Sequence, residues 1–323
     1  MTPARTPTPP VPNRRPHTHN GCVGNILIRW RDELRGTFAG QSKTVPQWEL
    51  ELEYGDDAGY FAPDSAVWAV HRSMTTLVAG IRSLLTQTLH PGALAGVDDF
   101  SAYREAPLAR LANTIRWIFT VTYGDTAAAK SACDLVLNLH ERVRGTYTDA
   151  SGREQAYYAN DPHLLRWVHL TFTDAFVTSH QAYGGRLPGG PDQYVAEWAK
   201  AGELMQVTDP PRTFTELRRQ LDSYRPELTA SPAMRETVEF VRHPPLPRSQ
   251  RLGYSILFAA AVETLPGDYR RLLGLRPSTP LPLRILIKPA TWLVLGVVRL
   301  GLSKTGPSEA AARRRLARLR QQA

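Results

Sequence analysis

The chain has 323 residues, of which 42% are hydrophobic, and this is enough for one large folded domain or two of ordinary size. Its formal net charge of +9 is concentrated in arginines near the two ends, which is typical of solvated or membrane-surface segments; no nucleic-acid-binding motif accompanies them, so we expect no nucleic-acid partner. The two cysteines, Cys22 and Cys133, form no Cys-x-x-Cys pair, which argues against a zinc knuckle or disulfide framework and favours a reducing compartment.

Hydrophobic periodicity predicts a succession of helices. The first begins at Asp64-Ser65 and runs to about Leu89, where Pro91 stops it, and a second follows Pro107. Further helices are predicted from about Thr126, over 160–183, over 191–207, over 213–224 and over 252–273. Strand-like alternation is nearly absent, so the predicted class is all-α with a single large helical domain.

The chain divides into three predicted units. Residues 1–20 are rich in Pro, Thr and Arg and lack an apolar export signal, so we predict a disordered N-terminus. The helical domain is predicted over 21–275, with a transitional start and a folded body that begins near Trp48. Residues 276–323 are predicted to form a C-terminal amphipathic segment and an Arg-rich tail.

The segment 281–302 is apolar but is bracketed by Arg284, Lys288 and Arg299. Its uninterrupted apolar run is far short of the roughly 20 residues that a membrane span requires. One interpretation is a helix packed on the domain. The other is a peripheral membrane anchor at the inner face of the membrane, with the arginine tail near anionic lipid. Both agree with the cytoplasmic location that we predict.

His140 lies near the end of the helix that begins at Thr126, which we expect to continue to about Gly145. The apolar face of that helix is marked by Val136, Leu139 and Val143. His140 lies on the same face, one turn before Arg144. A core-facing imidazole with an arginine one turn on is compatible with an axial haem ligand beside a haem propionate, and equally with a hydrogen-bonded core histidine.

Several kinds of enzyme site are absent from the sequence. His140-Glu141 opens like a zincin motif, but Arg144 stands where the second histidine would be, and no histidine has the preceding glutamate of di-iron bundles. No Gly-x-Ser-x-Gly elbow, P-loop or dinucleotide-binding glycine motif occurs. The histidines predicted on apolar helix faces are His71, His90, His140, His169 and His180. Buried imidazoles need partners, and noncovalent haem b is the partner that best suits an all-α protein without Cys-x-x-Cys-His.

An ordered series of stretches resembles the MpaB-like oxygenases, the group that includes the rubber oxygenases. The stretches are 63–72, 88–91 with 95–97, 107–114, 139–145, 158–162, 167–169 and 183–185. Each is weak alone, but the series is specific, and it covers about residues 60–210 with weaker similarity to about 275. The resemblance implies an all-α, globin-reminiscent fold with haem b, and oxygenase chemistry with dioxygen on apolar, often isoprenoid-derived molecules.

The resemblance also implies roles for individual residues. His140 matches the family's proximal haem ligand, and Arg144 matches an arginine that accompanies it and positions haem or the histidine. Arg110 and Thr114 match an arginine and a threonine on the distal side, where they shape the catalytic pocket. Rubber oxygenases have a distal lysine just before that threonine, and Asn113 stands there in this chain.

Since asparagine is a poor iron ligand, the distal position is either open or filled by another residue, with His90 and His169 as candidates. For Asn160-Asp161 we prefer a helix cap to a catalytic role. We therefore predict a haem b-dependent oxygenase that uses dioxygen on a hydrophobic, isoprenoid- or lipid-like small molecule. The alternatives are a non-catalytic haem- or lipid-binding helical protein, and a structural domain whose core histidines are satisfied.

Overall fold

The computed structural model of the protein describes residues 45–100, 107–275, 284–302 and 305–322, without the side chains of 98–100 and 107–109. The predicted disordered segment 1–20, the transitional residues up to 44 and Cys22 lie outside the described residues. The division of the chain at residue 275 stays a prediction.

Helices make up most of the described chain, and the predicted all-α class is confirmed. In chain order the helices are α1 Gln47–Glu51, α2 Ala66–His71, α3 Thr76–Gln87, α4 Pro91–Phe100, α5 Pro107–Tyr123, α6 Thr126–His140, α7 Pro162–Tyr183, α8 Gly190–Leu204, α9 Phe214–Ser223, α10 Pro232–Arg242, α11 Arg248–Thr264, α12 Gly267–Leu272, α13 Ile287–Gly301 and α14 Pro307–Gln322. The strands β1 Arg144–Thr148 and β2 Glu154–Tyr158 lie between α6 and α7.

The long helix α7 forms the centre of the fold. It packs against α3, α8, α9 and α11, and most of its 22 residues are buried, including Trp167. A helix that is buried along most of its length is typical of the middle of a large helical domain. Around it, α11 also contacts α3 and α13, while α5 pairs with α6.

Helix starts that depend on a side-chain cap agree with the sequence. Asp161 accepts the backbone N–H of His163 at 2.8 Å, so α7 begins at the predicted place. Asp125 caps α6 in the same way and fixes its start at the predicted Thr126. A capping box of Thr213 and Glu216 begins α9.

Two helices predicted as continuous are divided in the structure. The helix predicted over 64–89 is interrupted between α2 and α3, where the hydroxyl and carbonyl of Ser73 accept hydrogen bonds from the two threonines that follow. Such local bonds compete with the helical ladder. The helix predicted over 252–273 is interrupted because Pro266 disfavours the helical conformation at Leu265, which is extended.

The hairpin of β1 and β2 was not predicted, and it corrects the expected course of the chain after His140. The helix ends at His140 instead of continuing to Gly145, and Arg144 is the first residue of β1, paired with Tyr158. The turn is built on Asp149, whose carboxylate accepts the backbone N–H groups of Ser151 and Arg153. Arg144 is therefore not one helical turn beyond His140.

The helix α14 contains the arginines that were interpreted as a solvated tail, and this interpretation is wrong for Arg315. Arg315 is fully buried, and its guanidinium donates to the carbonyl of Leu52 at 2.6 Å and to that of Tyr123 at 2.7 Å. Nearby, Arg314 pairs with Glu53 at 2.6 Å. These bonds hold α14 against α1 and α5.

The helix α13 lies within the segment 281–302. One face packs against α11 and α7, as in the first of the two interpretations above, and the other face is exposed. None of the described helices is both long enough and apolar enough to cross a membrane.

Candidate active site

His140 lies at the C-terminal end of α6, at the edge of the core. The buried face of this helix is formed by Ala129, Cys133 and Leu137. His140 itself is half-buried. The side chain of Leu139 is 59% exposed, so Leu139, contrary to the prediction, does not face the core. The imidazole is thus only partly shielded from solvent.

Asn160, in the turn before α7, fixes the orientation of the His140 ring. The Asn160 amide nitrogen Nδ2 donates to the Leu137 carbonyl at 2.9 Å and to the Glu141 carboxylate at 3.1 Å. Both are pure acceptors, so the other amide atom, which faces His140 Nδ1 at 3.1 Å, is the oxygen. Amide oxygen only accepts, and Nδ1 must therefore carry the proton.

The consequence is a defined tautomer of His140. With the proton on Nδ1, a neutral imidazole keeps a lone pair on Nε2. Among the described residues, His140 has a hydrogen-bond partner only at Nδ1. A histidine whose Nδ1–H is held by an oxygen while Nε2 remains available is typical of metal ligands in proteins.

Electrostatics also favours the neutral form of His140. Burial lowers its pKa, the hydrogen bond with Asn160 opposes that effect, and the positive charge of Arg110 lowers the pKa further. The net shift is downward, so His140 is uncharged at neutral pH. Arg110 lies on α5, the helix that packs against α6.

An outer layer of polar residues supports Asn160. The Tyr158 hydroxyl donates to the Glu141 carboxylate at 2.7 Å, and the guanidinium of Arg144 lies over the Tyr158 ring at 4.5 Å. Arg144 also donates to the Glu141 carbonyl, and its side chain is 65% exposed. Arg144 therefore contacts Glu141 and Tyr158, the two residues whose side chains bond to Asn160.

Thr114 and Asn113 are exposed on α5, one turn beyond Arg110, which is half-buried. The Thr114 hydroxyl donates to the Arg110 carbonyl at 3.1 Å. This is the intrahelical bond that a threonine in a helix commonly makes. The sequence-predicted Arg110, Thr114 and His140 thus lie on two paired helices, with Arg110 the one whose charge acts on the imidazole.

His90 has both ring nitrogens engaged, which argues against it as a distal haem ligand. Its Nδ1 accepts the backbone N–H groups of Gly92 and Ala93 at the start of α4, at 3.2 and 3.4 Å. Its Nε2 must then carry the proton, and it donates to the Glu227 carboxylate at 3.1 Å. His163 reaches the same oxygen at 2.7 Å.

The donor atoms of His90, His163 and Glu227 lie within 4.8 Å of one another, as in a metal site. However, a histidine that ligates through Nε2 needs its proton on Nδ1, where it would face the backbone N–H groups. The three residues therefore form a hydrogen-bonded cluster that joins α4, α7 and the turn after α9.

His169, the other candidate distal ligand, is buried in α7 against α8. Its Nε2 has no hydrogen-bond partner among the described residues, and burial lowers its pKa to about 4. Gly202 packs so closely on the ring that a Cβ at this position would come within 2.9 Å of it. Iron ligation by His169 would require α8 to move, which argues against that role.

His71 is a core histidine with hydrogen bonds at both ring nitrogens, which is one of the two roles that the sequence allowed for a buried histidine. The hydroxyl of Thr122 donates to its own helix and accepts from His71 Nδ1 at 2.7 Å, while Tyr194 donates to Nε2 at 3.1 Å. With both nitrogens bonded, burial lowers its pKa to about 3. His180 is also buried, and its Nδ1 lies 3.4 Å from the Thr75 hydroxyl.

Asn160 is the functional residue that sequence reasoning missed. The prediction of a helix cap at Asn160-Asp161 is correct for Asp161, whose carboxylate caps α7. The side chain of Asn160 bonds to His140 instead. The hydrophobic pattern carries no signal for this contact, since the two residues are 20 positions apart and come together only because the hairpin returns the chain to the end of α6.

Comparison with known proteins gave one match. The family model described as "ER-bound oxygenase mpaB/B'/Rubber oxygenase, catalytic domain" matches residues 68–299, which runs from α2 into α13. No curated protein and no solved structure gave a significant match. Because the match covers most of the chain, this protein belongs to the mpaB and rubber oxygenase catalytic-domain family.

Proposed function

We propose that this oxygenase-family protein is a haem b-dependent oxygenase that acts with dioxygen on a hydrophobic, isoprenoid- or lipid-like small molecule. Membership of the family supports the oxygenase class. The neutral, Nδ1-protonated state of His140 is the observation that carries the proposal of haem, and the sequence resemblance supports the substrate class.

The proposal assigns iron ligation to Nε2 of His140. A ligand histidine must be neutral, must present a lone pair and must be held at its other nitrogen. Burial and the charge of Arg110 keep His140 neutral, and Asn160 holds Nδ1. His140 meets these three conditions and therefore fits a ligand of haem iron.

The exposed surfaces of α5 and α6 also offer apolar area and positive charge to a large planar group with an apolar body and anionic edges. Leu135 and Leu139 are more than half exposed on α6, and Leu111 is partly exposed on α5 beside Arg110. Exposed leucines of this size gain stability when an apolar ring covers them. The cations Arg110 and Arg144 are proposed either to pair with the haem propionates or to line the pocket opposite His140.

Each residue has a defined part in the proposed site. When bound, haem b would supply the iron chemistry that activates dioxygen. His140 would hold the iron, Asn160 would keep the ring in its Nδ1–H tautomer, and Arg110 and Thr114 would shape the opposite side. Arg110 is the stronger of these two, because the Thr114 hydroxyl already donates to a backbone carbonyl.

Absorption spectroscopy of the protein produced with sufficient haem tests the proposal. We expect a Soret band that His140→Ala abolishes or strongly shifts, while the matched control His243→Ala leaves it unchanged. His243 is a suitable control because its side chain is 67% exposed at the end of α10. A purified protein without a Soret band, or with unchanged haem content in His140→Ala, would refute the assignment.

A second measurement separates catalysis from binding alone. Asn113, where the rubber oxygenases have lysine, motivates the alternative of a non-catalytic haem or lipid binder. An oxygenase should consume oxygen in proportion to an added polyisoprenoid or unsaturated lipid, with loss of consumption in Arg110→Gln. Oxygen uptake no greater than autoxidation would favour the binder. The cytoplasmic location and the absence of a nucleic-acid partner stay predictions.

A further inference from the structure

The outward face of α13 carries a continuous row of large apolar side chains. Leu293 is 69% exposed and Leu300 is 82% exposed, and both belong to a row spaced as one side of a helix. The exposed members on the helix are Trp292, Leu293, Val297 and Leu300, and Ile285 and Leu286 lie in the turn just before it; we call these six residues the α13 strip. Contiguous apolar surface of this kind marks an interaction site in soluble domains.

The opposite face of α13 is fastened to the protein. Thr291, Leu295 and Val298 are buried there, and the helix packs along α11. The indole nitrogen of Trp292 donates to the carbonyl of Tyr183 at the end of α7, at 3.1 Å. The strip is therefore held outward by a helix whose other side is part of the core.

Positive charge surrounds the strip. Lys288 lies over the Trp292 ring at 5.1 Å, and Arg299 is exposed near the other end of the helix. Residues 284–302 contain no Asp or Glu. Where α11 meets α13, beside Gly253, the exposed Leu252 extends the apolar surface. The exposed Arg248 and Arg251 precede it on α11 and add further cations.

We infer that the α13 strip docks onto an anionic lipid surface, with α13 lying in the plane of the membrane. Apolar side chains that enter the lipid and cations that remain at the headgroups are the two features of interfacial helices. A second copy of the chain fits less well, because a symmetric contact would bring Lys288 and Arg299 of both copies together. The inference does not depend on haem. Docking of this kind would bring an enzyme for apolar substrates to the phase in which those substrates dissolve.

Vesicle co-sedimentation of the full chain tests the inference. We expect binding to vesicles of phosphatidylcholine containing phosphatidylserine, weak binding to phosphatidylcholine alone, and a fall in binding as salt is raised. Leu293→Asp/Leu300→Asp should weaken binding by about tenfold or more for each leucine. Lys288→Gln/Arg299→Gln should weaken it by about fivefold for each cation.

Matched variants keep the test specific. Leu84→Asp changes a partly exposed leucine on α3, and Arg153→Gln/Arg235→Gln removes two exposed cations elsewhere; both should bind vesicles like the wild type. Circular dichroism and thermal unfolding check that each variant is folded. Wild type that fails to bind, strip variants that bind normally, or equal losses in the matched variants would each overturn the inference. A wild-type dimer that Leu293→Asp/Leu300→Asp converts to a monomer would instead identify the strip as a contact between copies.

Discussion

Replacing Asn160 by alanine tests the orientation of His140 most directly. The substitution removes the acceptor of the His140 Nδ1 proton and the amide that donates to Leu137 and Glu141. His140 would then be free to rotate and to place its proton on Nε2. We expect a loss of about 10–100-fold in haem affinity, which is the usual effect of removing the partner that orients a metal-bound histidine.

The stability cost of Asn160→Ala should be modest. Asn160 makes four contacts, in which two amide N–H groups serve three acceptors, so about three hydrogen bonds are lost. At about 0.5–1.5 kcal/mol each, the free energy of unfolding should fall by about 1.5–4.5 kcal/mol with the protein still folded. The two effects can therefore be measured separately, by haem titration at the Soret band and by urea unfolding of the haem-free protein.

The matched control for Asn160→Ala is Asn138→Ala, which changes an exposed asparagine on the same helix as His140. It should change neither haem affinity nor the spectrum. In the haem-free protein, nitrogen NMR of His140 should report the Nδ1–H tautomer in the wild type and a mixture in Asn160→Ala. Equal haem affinity and equal tautomer populations in both proteins would refute the positioning role, whereas a wild type that binds no haem would refute the proposed function.

Two further predictions concern buried charge. Asp174→Ala should lower the free energy of unfolding by about 3–5 kcal/mol because it leaves Arg82 buried without its carboxylate, whereas Asp222→Ala at an exposed ion pair should cost less than about 1 kcal/mol by urea unfolding. Burial raises the pKa of the Asp174 carboxyl, but the two arginines beside it lower that pKa by more, so the net shift is downward. The contribution of Asp174 to stability should therefore be complete above the pKa of the unfolded state and be lost as the pH falls through the pKa of the folded state. A contribution that grows in acid would contradict this. Arg315→Met should clearly lower the thermal midpoint of unfolding, because it leaves two buried carbonyls without donors, at a cost of about 1–3 kcal/mol for each carbonyl. The exposed Arg320→Met is the control, and equal midpoints in the two variants would contradict the prediction.

The proposed site could be predicted in part because some of its signals are local in sequence. His140 was found from helical periodicity and from the family stretch 139–145, and Arg110 and Thr114, four residues apart, from the separate stretch 107–114. Asn160 could not be assigned in this way, because its neighbour Asp161 supplies the local signal of a helix cap. The distal candidates His90 and His169 looked alike on apolar helix faces, and only their contacts separate them. Both nitrogens of His90 are bonded, as in His71, whereas Nε2 of His169 has no partner among the described residues.

The sequence by itself determined the all-α class and the starts of α6 and α7, because caps, prolines and helical periodicity act within a few residues. It also determined the family of the chain, through an ordered series of short stretches. Tertiary structure alone decided which charges are buried and what each histidine contacts. Arg315 looked like part of a solvated basic end, yet it meets the Leu52 carbonyl across 263 residues of chain. Such contacts depend on how distant segments pack, and a hydrogen bond or a buried charge is specified only once its partner has been brought to it.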